Sequence, residues 1–271
     1  MNAADAHRST RFSTYTSAMF SETPRRRPPF LLSAARWVAS SLNSLCHFSL
    51  MLALRPFSYD AAWTTYQRWL RVACRIFGIT LSVRDDNSGQ LGPPPHLYIW
   101  LNQSSLAEVL AFTALPKHSL VINVEYAALP LLGWARVVLS DVVIVRQWKS
   151  QAKRGVARAA KRLAAGETWL ISVEGARSPD GALQPYKKGA VVMALQSKAT
   201  IIPMALHGGR EIMPRGEWRL RPGHIEVHLL KAIPTRGLTF DDRNDILKRL
   251  QKLAEAEFDN QASTRVHPPQ P

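Results

Sequence analysis

Cysteine is scarce in this chain of 271 residues, where Cys46 and Cys74 are the only two and each lies within an apolar stretch. Neither belongs to a CxxC pair or to a Cys/His cluster, which argues against a disulfide framework and against a zinc site. Free thiols are typical of reducing compartments. We therefore expect the folded domain to face the cytoplasm, and no metal cofactor is indicated.

Acidic residues are also in deficit, with 20 Asp and Glu against 35 Lys and Arg, which gives a formal net charge of +15. Such an excess predicts an anionic partner, and both nucleic acid and anionic lipid qualify. The sequence contains no basic-aromatic RNA motif, and its aromatic residues gather in apolar N-terminal segments. Membrane lipid is therefore the favoured partner, and no specific nucleic acid is expected.

Long uncharged runs are few, and the most informative one covers residues 37–54 between Arg36 and Arg55. Its 18 residues are at the lower limit for crossing a hydrocarbon core of about 30 Å. Several serines, an asparagine and a histidine weaken it as a spanning segment. A helix lying in one leaflet fits equally well, and a buried soluble helix is the third alternative.

A second helix is predicted at 61–77, where apolar residues recur at helical spacing and Arg68, Arg71 and Arg75 share another face. Its aromatic residues suit a lipid headgroup interface, although a surface helix packed on the core would give the same pattern. These aromatic residues are Trp63, Tyr66 and Trp69. The predicted organisation is a disordered basic tail (1–28), a membrane-associating helical hairpin (29–78), an α/β domain (79–260) and a flexible tail (261–271).

From residue 79 onward, short apolar strands alternate with helices, which predicts an α/β fold with a mostly parallel sheet flanked by helices. The length accommodates one such domain and no second catalytic domain. The predicted strands cover 79–83, 96–101, 119–124, 142–145, 169–173, 200–206 and 224–230, and the main helices cover 105–114, 149–165, 188–197 and 241–258.

Polar and cationic residues follow the predicted strands, at the edge where active sites of such sheets gather. Guanidinium forks, ammonium groups and a helix N-terminus all favour a phosphate dianion, which predicts a phosphate site there. The candidate phosphate-binding residues are Arg146, Glu174, Gly175, Arg177, Lys187 and Lys188, and Asn102, Ser105 and Pro203 are expected nearby.

Four sequence blocks follow one another along the chain, at 102–108, 130–146, 173–190 and 201–205. Their order and spacing resemble those of the 1-acylglycerol-3-phosphate acyltransferases and related lysophospholipid acyltransferases, over roughly residues 68 to 235. The stretch 173–178 (Val-Glu-Gly-Ala-Arg-Ser) is similar to the family's Glu-Gly-Thr-Arg-Ser block, with Ala176 replacing threonine, and 186–190 is similar to the Phe-Lys-Lys-Gly stretch. The segments 130–134 and 143–146 resemble the second block, and 201–205 resembles the fourth.

The first block departs from the family pattern Asn-His-x-Ser-x-x-Asp. Gln103 stands at the position of the histidine, and Glu108 at that of the aspartate. In the family mechanism, histidine takes a proton from a glycerol hydroxyl that attacks an acyl thioester, and the carboxylate orients the imidazole. A carboxamide can hold that hydroxyl but does not accept a proton near neutral pH. Gln103 and Glu108 are the candidate catalytic residues.

The resemblance implies an acyltransferase in phospholipid biosynthesis, associated with the membrane and with its catalytic domain on the cytoplasmic side. It would transfer an acyl group from acyl-CoA or acyl carrier protein to a lysophospholipid such as 1-acylglycerol-3-phosphate, with no bound cofactor. Three alternatives follow from the substitution. Glu108 replaces the lost base, or the protein binds lysophospholipid or acyl donor without reacting, as a carrier, sensor or partner subunit, or another histidine (His96, His118 or His207) supplies the base.

Overall fold

In this computed structural model, which describes residues 27–145 and 147–266 and the side chains of the last helix as far as residue 258, two helices precede a seven-stranded sheet. The strands are β1 (Ile79–Asp85), β2 (His96–Trp100), β3 (Ser119–Asn123), β4 (Val142–Ile144), β5 (Trp169–Ser172), β6 (Thr200–His207) and β7 (Gly223–Leu229). The α-helices are α1 (Phe30–Leu54), α2 (Tyr59–Phe77), α3 (Val124–Ala127), α4 (Leu132–Val138), α5 (Lys149–Ala164), α6 (Gly189–Ser197), α7 (Gly209–Ile212) and α8 (Arg243–Val266).

The strands are hydrogen-bonded in the order β1-β7-β6-β2-β5-β3-β4, and every neighbouring pair is parallel except β6 and β7. This confirms the predicted mostly parallel α/β sheet. In the central register Tyr98 of β2 lies between Leu170 of β5 and Ile202 of β6. These strands are apolar almost throughout because parallel strands are covered on both faces.

Two apolar layers cover the sheet. One face packs against α2 and a 3₁₀ helix (Leu106–Ala114), and the other packs against α5, α6 and α8. The helix predicted at 105–114 is present as this 3₁₀ helix. The last helix continues to Val266, into the stretch predicted to be a flexible tail, and residues 267–271 lie outside the described part.

Helix α2 begins at Ser58, whose hydroxyl accepts a hydrogen bond from Ala61 N, and ends at Gly78 in the left-handed conformation with φ of 70°. Its aromatic residues Trp63, Tyr66 and Trp69 are buried in the core. The headgroup-interface interpretation of these rings is therefore wrong, and the alternative of a helix packed on the core holds. Only the arginine face of α2 remains exposed.

Helix α1 packs along α2 and directs its polar residues towards it. Asn43 Nδ2 donates to Trp69 O at 3.2 Å, and Trp69 Nε1 donates to Ser44 Oγ at 2.9 Å. The opposite side of α1 exposes large apolar residues to solvent: Leu31, Val38, Leu42, Leu45, Leu50 and Leu52. The helix is long and apolar enough to cross a membrane by length and composition alone. The predicted basic tail falls almost wholly in residues 1–26, which lie outside the described residues.

Candidate active site

An apolar cavity of about 320 Å³ is lined by residues of β2, β3, β4 and β5 and by helices from both faces of the sheet. Gln103, Gly175 and Lys187 line it where the chain leaves β2 and β5, at the carboxyl edge of the sheet. The walls between the two ends are apolar and include Leu106, Val109, Leu120, Ile122, Leu129 and Leu170. The cavity has the shape and polarity needed for a hydrocarbon chain with a polar group at its mouth.

The Glu174 carboxylate joins the loops at the mouth of the cavity. Its Oε2 accepts a hydrogen bond from Gln103 N at 2.6 Å, and its Oε1 accepts one from Gln184 N at 2.7 Å. The side chain is 3% exposed, and burial raises its pKa to about 7. Both oxygens serve the backbone, so Glu174 has a positioning role rather than the phosphate-binding role expected from the sequence.

Glu108 is fully buried at the start of the 3₁₀ helix, where it forms a capping box with Ser105. Its Oε2 accepts from the backbone N–H groups of Ser104 and Ser105, each at 3.1 Å. Its Oε1 accepts a short hydrogen bond from the Ser104 hydroxyl. Burial raises the pKa of Glu108 to about 8, against the lowering effect of these hydrogen bonds.

Gln103 and Glu108 do not form the pair that the resemblance implies. Within residues 27–145 and 147–266, no hydrogen bond joins the Gln103 carboxamide to the Glu108 carboxylate. Hydrogen bonds instead hold the backbone of Gln103. Its N–H donates to the Glu174 carboxylate, and its carbonyl accepts from Ser178 N at 2.6 Å. The carboxamide is half-buried and lines the cavity.

The three residues expected near the site have structural roles. The Asn102 carboxamide bridges to β6, donating to Leu206 O at 2.7 Å and accepting from Leu206 N at 2.9 Å. The Ser105 hydroxyl donates to Met213 O and accepts from Ala107 N. Pro203 is buried in the middle of β6 beside Ile99 and does not line the cavity, so the structure does not bring it to the site.

The predicted cations divide into three groups. Lys187 lines the cavity, and Arg177 lies with its Cζ 6.0 Å from the ring centroid of Tyr126, another lining residue. Lys188 is exposed at the start of α6 and does not line the cavity. Arg146 lies outside the described residues, so its expected phosphate contact has no structural counterpart here. Gly175 approaches Lys187 closely enough that an added Cβ would meet Lys187 Cγ at 3.8 Å.

None of the three histidines considered as a replacement base lines the cavity. His96 opens β2 and His118 precedes β3, so both lie at the amino edge of the sheet. Burial lowers the pKa of His118 to about 3. His207 ends β6 at the carboxyl edge, but its Nε2 is bound to Glu257 Oε1 at 3.1 Å. The structure therefore contradicts a replacement histidine base. His96 and His118 lie at the opposite edge of the sheet, and His207 is bound to Glu257.

Three cavity residues were missed by the sequence analysis as site residues: Tyr66, Tyr126 and Arg136. Tyr66 was noted only as an aromatic residue of α2. Arg136 lies in the short helix α4, between the two segments of the second motif block, and a lone cation in an apolar helix was the one signal in the sequence. Ser104 was not predicted to be a site residue, although its hydroxyl donates a hydrogen bond to Glu108.

The fold resembles that of the 1-acyl-sn-glycerophosphate acyltransferase PlsC from Thermotoga maritima, with a TM-score of 0.71 over 85% of this chain and 95% of that one, at 16% identity. The mostly parallel sheet and the paired N-terminal helices therefore define an α/β protein with a PlsC-like fold.

Sequence comparisons show which proteins the chain resembles. A sequence model of the family named Acyltransferase matches residues 103–207. An uncharacterised acyltransferase of Schizosaccharomyces pombe is 28% identical over 79% of this chain and 75% of its own length. The 1-acyl-sn-glycerol-3-phosphate acyltransferase of Limnanthes alba is 35% identical, over 46% of this chain and 44% of that relative. The one of Pseudomonas aeruginosa is 25% identical over 76% and 79%. The chain is therefore similar in sequence to acyltransferases, over residues 103–207 for the family model and over about three quarters of its length for the relatives from S. pombe and P. aeruginosa.

Proposed function

We propose that this protein transfers a fatty acyl group from acyl-CoA or acyl carrier protein to a lysophospholipid such as 1-acylglycerol-3-phosphate. The observation that carries the proposal is the apolar cavity whose mouth holds Gln103 and Lys187, with Arg177 beside Tyr126. The cavity suits the acyl chain, and the two cations suit the phosphate of the acceptor. Relatives named as 1-acyl-sn-glycerol-3-phosphate acyltransferases support the same substrate class.

In this proposal Glu108 is the base and acts through Ser104. Glu108 itself is 0% exposed, whereas Ser104 is half-buried and donates its hydroxyl proton to the carboxylate. The acceptor hydroxyl gives its proton to Ser104 Oγ as Ser104 passes its own to Glu108. The hydroxyl oxygen attacks the thioester carbonyl carbon and the C–S bond breaks. The departing thiolate takes a proton from Ser104 Oγ, and Glu108 returns its proton to Ser104. The Gln103 carboxamide holds the acceptor hydroxyl in place.

The raised pKa of Glu108 gives this mechanism a pH signature. A base must be ionised, and burial keeps Glu108 largely protonated below about pH 8. Activity is expected to rise with pH and to reach half of its maximum at about pH 8, because the ionised fraction of Glu108 is one half at its pKa. A histidine base with its ordinary pKa would instead reach half of its maximum activity at about pH 6.5.

The test is thiol release from acyl-CoA or acyl carrier protein in the presence of 1-acylglycerol-3-phosphate, with the full chain in detergent micelles or vesicles. Wild type is expected to release thiol, and Gln103→His to increase the rate by about 10²-fold or more and to shift the pH profile downward. Ser104→Ala and Glu108→Gln are expected to abolish the rising limb of the wild-type profile. The matched control is Gln147→His, which changes an exposed glutamine outside the cavity.

The second candidate is a lipid-binding protein without turnover, and the observation that favours it is the glutamine at the position of the family's histidine. Absence of thiol release above background, together with measurable binding of the lysophospholipid, would establish this candidate and reject the transferase.

We further propose that α1 anchors the protein within one leaflet rather than crossing the bilayer. Both ends of α1 are tied to the folded domain, since Trp37 Nε1 donates to Trp218 O at 2.9 Å and Arg55 Nε donates to Val138 O at 3.0 Å. A helix attached at both ends to a domain on one side lies along the membrane surface. Its exposed apolar side continues onto Trp134 and Val137 of α4.

A further inference from the structure

The apolar cavity contains buried polar atoms that the protein itself leaves without partners. In the described part of the chain, Tyr66 Oη, Trp100 Nε1 and Arg136 Nη1 have no hydrogen-bond partner. All three residues line the cavity, and they are 1%, 4% and 4% exposed. Buried polar atoms are satisfied in nearly all proteins, so such exceptions indicate a missing water, ion or ligand.

Tyr66 and Arg136 lie together at the end of the cavity away from the proposed reaction site. Arg136 Cζ is 5.1 Å from the Tyr66 ring centroid. Arg136 Nη2 donates to the carbonyl of His118, which directly precedes β3, so this pair lies at the amino edge of the sheet. Gln103 lies at the carboxyl edge, about one strand length or roughly 15 Å away. We call Tyr66 and Arg136 the polar floor of the cavity.

The charge of Arg136 is already balanced within the protein. Its Nε and Nη2 bind the two carboxylate oxygens of buried Asp141 at 2.5 and 3.0 Å. A second anion beside this pair would be an unpaired charge in apolar surroundings. Nη1 can only donate, whereas the tyrosine hydroxyl can donate and accept. A neutral hydroxyl oxygen meets these requirements, because it accepts from Arg136 and donates to Tyr66.

We propose that the polar floor selects acyl chains that carry a hydroxyl group near their methyl end. This inference rests on the proposed function, because it takes the occupant of the cavity to be the acyl chain of the donor. The thioester lies at the mouth beside Gln103 and Lys187, the hydrocarbon follows the apolar wall along β3, and the hydroxyl replaces the missing partner of Arg136 and Tyr66. An unsubstituted chain that reaches the floor leaves both groups unsatisfied.

The test measures binding of acyl-CoAs to the full chain in detergent micelles by calorimetry, so it does not depend on turnover. Three donors of equal chain length are compared, ending in a methyl, a hydroxyl or a carboxylate, and the comparison is repeated over a series of lengths. The hydroxylated chain is expected to bind about tenfold more tightly than the other two at the length that reaches the floor. Equal affinities at every length would overturn the proposal and assign the floor to water.

Tyr66→Phe removes only the hydroxyl and is expected to reduce the preference to about threefold or less. Tyr98→Phe is the matched control, since it removes the hydroxyl of another buried tyrosine residue that does not line the cavity, and it should keep the preference. The paired change Arg136→Met with Asp141→Leu removes both charges and should abolish the preference. If the preference for the hydroxylated acyl chain persists in Tyr66→Phe and in the double variant at Arg136 and Asp141, the polar floor does not select this chain.

Thiol release, measured separately, distinguishes this inference from the proposed function. Preferential binding without any thiol release supports the polar floor and rejects the transferase. If the hydroxylated and the unsubstituted acyl-CoA bind with equal affinity and both release thiol, the polar floor is rejected and the proposed transferase activity is supported.

Discussion

Glu108 is one methylene longer than the aspartate of the resembled family pattern, and the glycine opposite it accommodates that length. A Cβ added at Gly209 would lie 2.3 Å from Glu108 Cγ and 2.6 Å from its Oε1. The carboxylate is held by Ser104 and by two backbone N–H groups, so it cannot simply move aside. The carboxylate at this position and the glycine of α7 are therefore a matched pair.

Gly209→Ala is expected to lower the free energy of unfolding by about 1–3 kcal/mol, because the new methyl group overlaps Glu108. Chemical denaturation of the variant and wild type measures the difference. In a Glu108→Ala background the same change should cost much less, which a double-mutant cycle would reveal. Gly92→Ala is the control, since its added Cβ meets nothing within 4 Å. Equal costs of Gly209→Ala in both backgrounds would contradict the pairing.

At the scale of elements, the last helix is fastened to the sheet by a charged network. Glu257 of α8 accepts from His207 of β6 at 3.1 Å and from His228 of β7 at 2.8 Å, and His228 also contacts Asp86 at 3.0 Å. The hydrogen bonds from the two histidines hold the pKa of Glu257 at about 2, against burial. Burial opposes a rise in the pKa of His228, but its two carboxylate partners outweigh burial and raise it.

Glu257→Gln is expected to lower the free energy of unfolding by about 1.5–3 kcal/mol near pH 6, since charge-assisted hydrogen bonds are lost. The lowered pKa of Glu257 contributes stability above its unfolded value, and this is lost as the pH falls from about 4.5 to about 2. The raised pKa of His228 contributes stability below its unfolded value, and this is lost as the pH rises through the folded pKa. The difference in the free energy of unfolding between wild type and Glu257→Gln should therefore shrink both at acidic pH and at pH values above the folded pKa of His228.

Denaturation curves across pH measure this window, with Glu255→Gln as the control on the same helix because Glu255 is exposed. If the difference in the free energy of unfolding between wild type and Glu257→Gln does not vary with pH, the hydrogen bonds of Glu257 to His207 and His228 do not involve charged groups.

At the scale of the whole molecule, the net charge of +15 and the exposed apolar side of α1 are both expected to contribute to the proposed membrane binding. Charge attracts the protein to an anionic surface over a distance of about 10 Å, and the attraction weakens with salt. Burial of apolar side chains in the bilayer does not depend on salt in this way. Lipid and nucleic acid can therefore be separated by their response to ionic strength.

The protein is expected to bind anionic vesicles at about 0.15 M salt and to retain part of that binding at higher salt, whereas binding to duplex DNA should vanish. Cys46 is exposed on α1 and Cys74 is buried, so Cys46 reports on membrane contact. Its reaction with a maleimide should slow several-fold when vesicles are added. Replacing Leu42 and Leu45 with aspartate should abolish both effects. Unchanged Cys46 reactivity on vesicles would reject the proposed insertion of α1.

The sequence by itself determined the order of the elements, because hydrophobic periodicity and capping residues such as Ser58 and Gly78 act locally. It also determined the resemblance to acyltransferases, because four blocks retain their order and spacing. What only the tertiary structure decided are contacts between distant residues. The burial of Trp63, the Glu174 bridge between two loops and the meeting of Tyr66 with Arg136 depend on how packed elements face one another. Local sequence carries the propensity to form an element, but the partners of a side chain are fixed only when the elements pack.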